Sequence, residues 1–160
     1  MTSTLYVDNL VEKTSGNGVH IPGHVIQVAE NTKVGSFVTS SSAFVPNGLS
    51  VTITPKSSTS KIILFVNSMI DTTDDRQAPW TIYRSINGGS AINLYSSTEG
   101  LGAAQNTRRY PLGACAVDTA HGTTSSVVYS LYVRSSGSNT IEFPPFSSMT
   151  QYLIAQEIAQ

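Results

Sequence analysis

The segment Trp80-Thr81-Ile82-Tyr83-Arg84-Ser85-Ile86-Asn87-Gly88-Gly89-Ser90 predicts a β-hairpin, and with it an all-β fold. Aromatic and β-branched side chains precede the triplet Asn87-Gly88-Gly89. Asn and Gly supply the positive φ angles that a tight hairpin turn requires. We therefore predict strands over Trp80–Ile86 and Ser90–Tyr95, joined by a turn at the triplet.

The rest of the chain repeats short strand patterns separated by Gly, Pro, Asn and Ser. Leu49–Thr54 alternates apolar and polar residues, whereas Lys61–Ile70 contains a continuous apolar run that is typical of a strand covered on both faces. Further strands are predicted over His24–Ala29, Gly35–Thr39, Gly113–Asp118, Ser125–Arg134, Thr140–Phe143 and Gln151–Ile158. This pattern favours an antiparallel sandwich, and a jelly roll of eight to ten strands is the economical choice for 160 residues.

The composition excludes several classes of protein. Charged residues are 12% of the chain, against roughly 25% in a typical soluble domain, and Ser and Thr together supply 41 of the 160 residues. A net charge of −1 lacks the basic excess that non-specific nucleic-acid binding needs. No apolar run approaches the roughly 18 residues of a membrane span. The N-terminus does not resemble a secretory signal, and the single Cys115 cannot form an internal disulfide, so we expect synthesis in a reducing cytoplasm.

The first 18 residues are predicted to form a separate arm. Residues 3–12 have strand propensity, and Thr14–Gly18 cuts them from the main body. A lone strand of this length cannot bury its own apolar side chains. Such an arm contacts a sister subunit or another protein, or folds back as an edge strand of its own domain. We expect a docking arm over 1–18 and a β-sandwich over 19–160, with the arm contacts made by Leu5, Val7, Leu10 and Val11.

The sequence predicts neither an enzyme nor a bound cofactor or metal. His20 and His24 flank a Pro-Gly pair, which removes the helical geometry of a shared metal site. Asp71, Asp74 and Asp75 could hold calcium, but their spacing lacks the 12-residue calcium loop and favours a solvated loop. No nucleophile elbow, phosphate-cradling glycine loop or facing pair of carboxylates for glycan cleavage is evident.

Trp80 and Tyr95 have two interpretations. Together with Arg108, Arg109 and Tyr110 they could form an exposed patch that contacts a sugar or a nucleic acid, and Trp80, Tyr95 and Arg109 on one patch would favour carbohydrate binding. The favoured interpretation places Trp80, Ile82 and Tyr83 in the core, beside Arg84.

A family resemblance extends over most of residues 14–160. Thr14–Gly18, followed by Ile21-Pro22-Gly23-His24-Val25-Ile26-Gln27-Val28, resembles the start of globular modules in virion appendage proteins of tailed bacteriophages. Residues 49–62, Trp80–Arg84 and Ile154–Ile158 are similar to later parts of those modules. The resemblance implies a jelly roll like that of the complement globular head or tumour necrosis factor, associated as a homotrimer. A short chain with a docking arm also resembles capsid decoration (cement) proteins, which form trimeric knobs on the shell.

The resulting hypothesis is a non-enzymatic phage virion protein, a trimeric surface knob docked by its arm to the capsid or to the tail. The last strand has two apolar faces, as expected at a threefold axis, and the trimer seam is predicted at Tyr152, Leu153, Ile154 and Ile158. Attachment to the tail would make the segments Asp71–Pro79 and Glu99–Tyr110 host-facing, with Asp74, Asp75, Arg108 and Arg109 as candidate receptor contacts. A host-glycan-binding adhesin or carbohydrate-binding module is the alternative.

Overall fold

The computed structural model describes residues 9, 11, 21–72, 77–95, 98–105, 109–137 and 140–160. These residues contain eleven β-strands and no helix, which confirms the all-β class. The strands are β1 Val25–Val34, β2 Val38–Thr39, β3 Val45–Ile53, β4 Lys61–Thr72, β5 Gln77–Ile86, β6 Ile92–Asn93, β7 Gly102–Gln105, β8 Tyr110–Asp118, β9 Val127–Val133, β10 Ile141–Glu142 and β11 Thr150–Ile158.

The strands form two sheets in which every pairing is antiparallel. The first sheet has the order β1-β11-β4-β10-β2, and β8 also pairs with β4. The second sheet has the order β3-β9-β5-β6, and β7 also pairs with β5. This arrangement is consistent with the predicted β-sandwich.

The predicted hairpin is present, but its second strand is short. Tyr83 pairs with Asn93 and Arg84 pairs with Ile92. Asn87 and Gly88 have φ angles of 50° and 72°, so both central turn positions take the left-handed conformation that Asn and Gly tolerate best. Strand β7 was not predicted, since its sequence Gly-Ala-Ala-Gln has little strand propensity.

The hydrophobic core lies between the sheets and follows the alternation of the strands. Leu49, Val51 and Ile53 of β3 all point inward, as predicted. They pack against buried side chains from both sheets, which include Ile62, Leu64, Val66, Ile70, Ile82, Leu112, Val127, Tyr129, Leu131, Val133 and Leu153.

Strand β4 departs from the prediction in one respect that bears on function. Ile62, Leu64 and Val66 are at most 3% exposed on its inner face. On its outer face Ile63 is half-buried and Phe65 is 40% exposed. The expectation that this apolar run is covered on both faces is therefore wrong for the single chain, because only the inner face has a partner sheet.

Candidate assembly surface

The outer face of the first sheet is mostly apolar where β1, β11, β4 and β8 lie side by side. The registers place Glu30, Ile154, Phe65 and Cys115 in one row across these strands. Among the larger side chains, Phe65, Tyr152, Val117 and Val28 are 40%, 46%, 48% and 55% exposed. We call this surface the apolar face; it comprises Val28, Glu30, Thr32 and Val34 of β1, Tyr152, Ile154, Gln156 and Ile158 of β11, Lys61, Ile63, Phe65, Asn67 and Met69 of β4, and Gly113, Cys115 and Val117 of β8.

A groove of about 380 Å³ crosses the apolar face between β8 and β11. Its lining includes Phe65, Cys115, Tyr152 and Ile154. At Gly113 a Cβ atom would meet nothing within 4 Å, so the β8 side of the groove is open. Small side chains on β8 beside large ones on β4 and β11 create this shape, which can receive an apolar side chain of another molecule.

The outer face of the second sheet is different. The outward positions of β3, β5 and β9 carry Ser50, Thr52, Ser85 and Ser130, and we call this surface the hydroxyl face. The same face also carries Val128 and the rings of Tyr83 and Tyr132, which stack with centroids 4.0 Å apart. Its hydroxyl groups bond to water at little cost.

The predicted seam residues divide between the two sides of β11. Tyr152, Ile154 and Ile158 lie on the apolar face, and Tyr152 is 46% exposed. Leu153 points between the sheets and has no exposed surface, so it cannot contact a partner together with the other three. One apolar side of β11 packs in the core, and the other lies on the exposed apolar face.

Most of the predicted arm and receptor contacts lie outside the described residues: Leu5, Val7, Leu10, Asp74, Asp75 and Arg108. Val11 is described and is 74% exposed. The Arg109 side chain is 61% exposed, with its Nε 4.0 Å from Asp71 Oδ2 and its guanidinium 4.8 Å from the Phe146 ring centroid. The two segments predicted to face the host, Asp71–Pro79 and Glu99–Tyr110, are partly strand. The first includes the end of β4 and the start of β5, and the second includes β7 and the first residue of β8.

The proposed glycan patch is not assembled. Trp80 is 7% exposed and belongs to the core, as the favoured interpretation predicts for both Trp80 and Ile82. Tyr95 is half-buried, and its hydroxyl accepts a hydrogen bond from Val117 N at 3.1 Å. Burial raises the pKa of this phenol. Side chains alternate between the two faces of a strand. Trp80 and Ile82 point inward, so Tyr83 lies on the outer side of β5 instead of in the core.

One buried cluster was missed by sequence reasoning: Ser60, His121 and Glu157 are at most 3% exposed. The Ser60 hydroxyl donates to Glu157 Oε1 at 2.6 Å, and His121 Nε2 lies 2.8 Å from the Ser60 carbonyl oxygen. A catalytic serine would instead donate to the imidazole and face a substrate cleft. Here the hydroxyl lies 2.6 Å from the carboxylate and 2.8 Å from the Ser57 carbonyl oxygen but 3.4 Å from His121 Nε2, so its shorter contacts join the loop at Ser57 to β11.

Glu157 holds three segments at one end of the first sheet. Its carboxylate accepts hydrogen bonds from Lys56 N at 2.8 and 2.9 Å, from Ser57 N at 3.1 Å and from Gln27 Nε2 at 2.5 Å. Burial by itself raises the pKa of this carboxyl group. The hydrogen bonds from Ser60, Lys56, Gln27 and Ser57 outweigh that effect, so the net pKa is lowered and the ionised form is favoured.

A second buried network, also missed, ties the two sheets together. Arg84 Nη1 lies 2.8 Å from both carboxylate oxygens of Asp118, and the Tyr129 hydroxyl donates to Asp118 Oδ2 at 2.8 Å. Arg84 and Tyr129 belong to the second sheet and Asp118 to the first. Burial and the negative charge of Asp118 raise the pKa of Tyr129.

Two further sequence expectations concern metals and membranes. In the part of the chain that the structure describes, which includes His24 but not His20, His, Cys, Asp and Glu residues do not gather in groups of three or more that could hold a metal ion. None of the described residues belongs to a helix long and apolar enough to cross a membrane.

Comparison with known proteins gives distant structural similarity and no family. No protein-family model and no curated protein matches the chain. Among solved structures, it is similar to a chain in a structure of infectious bursal disease virus, Gx strain, with 14% sequence identity and a TM-score of 0.46. The match covers 84% of this chain and 37% of the viral one, so the protein spans little more than a third of that chain. A superposition this loose assigns neither a family nor a function.

Proposed function

We propose that the protein is a non-enzymatic structural component of a phage virion, a surface knob that associates as a homotrimer through its apolar face. The apolar face is the observation that carries this proposal. Soluble monomers rarely expose contiguous apolar patches beyond a few hundred Å², and an antiparallel sheet that faces water usually alternates apolar and polar residues. Strand β3 follows that rule with Ser50 and Thr52 on its outer side, whereas β4 and β11 place Phe65 and Ile154 there.

The strand order supports the jelly roll that the proposal includes, and closure of the assembly favours a ring. Both sheets combine strands from distant parts of the chain, β1 with β11 and β3 with β9. Greek-key and jelly-roll connections produce such pairings. A closed ring of three copies leaves no unsatisfied contact surface, whereas an open arrangement would polymerise.

The N-terminal arm supplies the attachment in this proposal. Next to it, Gly23 N donates to Ala159 O at 2.9 Å, which fixes the start of the sandwich at one end of the first sheet. Three arms that leave a trimer on linked subunits gain avidity when they contact a capsid or a tail together. The glycan-binding alternative has less support, since Trp80 and Tyr95 do not form an exposed patch with Arg109.

The test compares one substitution on the two outer faces. Phe65→Arg places a charge on the apolar face, and Thr52→Arg, also at an exposed position, is the matched control on the hydroxyl face. We expect trimers for the natural protein and for Thr52→Arg, and monomers for Phe65→Arg, in light scattering coupled to size exclusion. A chain lacking residues 1–12 is expected to remain trimeric but to be absent from purified particles.

Two results would contradict the proposal. A natural protein that stays monomeric at every accessible concentration removes the assembly role. A truncated chain that is still incorporated into particles removes the docking role of the arm. Glycan binding by the trimer, measured on an array of host-surface glycans, would favour the adhesin alternative.

A further inference from the structure

We propose that Glu30 and Lys61 form ion pairs between neighbouring copies of the chain and thereby fix how two apolar faces meet. This inference depends on the proposed self-association and names the contacts that orient it. The outward row of β4 also ends in a charged residue, Asp71, but that carboxylate lies six residues beyond Phe65 and has Arg109 Nε 4.0 Å away. The outward positions of β1, β11 and β8 and the rest of the β4 row carry no charged side chain other than Glu30 and Lys61.

The two charges are too far apart to pair within one chain. Glu30 lies in the row of Ile154 and Phe65, and Lys61 pairs with Ile158. Their positions differ by two strands and four residues, which corresponds to roughly 17 Å at the usual spacings of an antiparallel sheet. That separation is about twice the Debye length of roughly 8 Å at physiological salt. Their mutual attraction in an isolated chain is therefore largely screened.

Neither charge has another ionic partner in the described part of the chain. The ion pairs found there join Arg84 to Asp118 and Arg109 to Asp71. Glu30 is exposed and Lys61 is half-buried, so water solvates both charges in the single chain. Covering the apolar face would remove part of that water, and an unpaired charge that loses its water destabilises the complex.

A second copy of this chain is the partner that matches this pattern. It brings one acidic and one basic group that lack an ionic partner within the described part of the chain, whereas Asp71 at the far end of β4 already has Arg109, so Lys61 of one copy can face Glu30 of the next. In a ring of three copies each interface would hold one such pair, and all three pairs would form on closure. Unrelated partners would need to carry the complementary charges at the same spacing.

The experiment is a charge exchange. Glu30→Lys and Lys61→Glu each place two like charges opposite one another. Each should raise the concentration at which half of the assembly dissociates by about tenfold, because an attractive ion pair at a partly exposed site becomes a repulsive one. The double variant Glu30→Lys/Lys61→Glu restores opposite charges at the natural net charge. We expect it to assemble within about twofold of the natural protein. Sedimentation velocity across a dilution series measures all four proteins.

The outcomes separate this inference from the proposal on which it depends. In one outcome, Phe65→Arg abolishes assembly while the charge exchange has no effect. In another, assembly of the double variant is weakened by as much as the two single variants combined. Either result means that the apolar face still assembles but Glu30 and Lys61 do not pair. If the natural protein does not assemble, both ideas fail. Thermal unfolding of the single variants at low concentration shows whether either change damages the fold itself.

Discussion

The two sheets share one core but differ in what they present to the outside. The hydroxyl face carries Ser50, Thr52 and Ser130 on outward positions of β3 and β9, whereas the equivalent positions of β4 and β11 carry Phe65 and Ile154. The inner faces of both sheets must be apolar in any sandwich, so they say little about function. The outer faces are free to differ, and the proposed assembly depends on that difference.

The two sides of β4 offer the strongest way to test that contrast. Leu64 has no exposed surface, and Leu64→Ala should lower the free energy of unfolding by about 2–5 kcal/mol at any protein concentration. Phe65 is 40% exposed in the single chain, so Phe65→Ala should have a small effect in dilute solution and a larger one where the chains associate. Urea unfolding at low and high protein concentration measures both.

Thr52→Ala on the hydroxyl face is the control for this comparison. It should change the free energy of unfolding by less than about 0.5 kcal/mol at both concentrations, as expected for an exposed position without special contacts. If Phe65→Ala has the same effect at all concentrations, the apolar face has no partner and the contrast between the faces carries no functional meaning.

The acid response provides a second, smaller test, because Glu157 lies in β11 and binds both β1 and the loop between β3 and β4. Its lowered pKa means that the folded state favours the carboxylate. This contribution to stability is present above the unfolded pKa of about 4.5 and is lost as the pH falls through the lower folded value. Glu157→Gln should destabilise the protein by about 1–3 kcal/mol at neutral pH and weaken the loss of stability below pH 4.5.

Hydrogen exchange shows which sheet responds to acid. We expect protection of β1 and β11 to fall before that of β9, because Gln27 and Glu157 lie in β1 and β11, whereas the carboxylate reaches the second sheet only through the loop that follows β3. Simultaneous loss of protection in both sheets would show that Glu157 stabilises the whole domain as one cooperative unit.

Local patterns were sufficient to predict most of the fold. The alternation of Leu49, Val51 and Ile53 identified an inward face, and Asn87-Gly88 identified the turn, because each signal depends only on neighbouring residues. The apolar run in β4 correctly indicated two apolar faces. It could not indicate that the outer one is open, since a sequence does not show whether cover comes from the same chain or from another.

The buried polar clusters were unpredictable for a related reason. Ser60 and Glu157 are 97 residues apart in sequence, and Arg84 and Asp118 are 34 apart. Only the strand registers bring such groups together, and one sequence does not fix those registers. A signal was available in retrospect: Arg84 and Asp118 occupy inward positions of their strands, where a charged residue needs a buried partner.

The single cysteine tests the difference between the two outer faces with the least change to the protein, because this thiol already lies on the apolar face of the natural chain. Cys115 is exposed in the single chain and lies in the same row as Phe65. Its alkylation rate should therefore fall as the protein concentration rises through the range in which chains associate, in proportion to the fraction of free chain. A thiol placed on the hydroxyl face by Thr52→Cys, in a Cys115→Ser background, should react at a rate that does not depend on concentration. Equal protection of both thiols would mean that association covers the two faces alike, and equal reactivity at every concentration would mean that the groove beside Phe65 stays open to solvent.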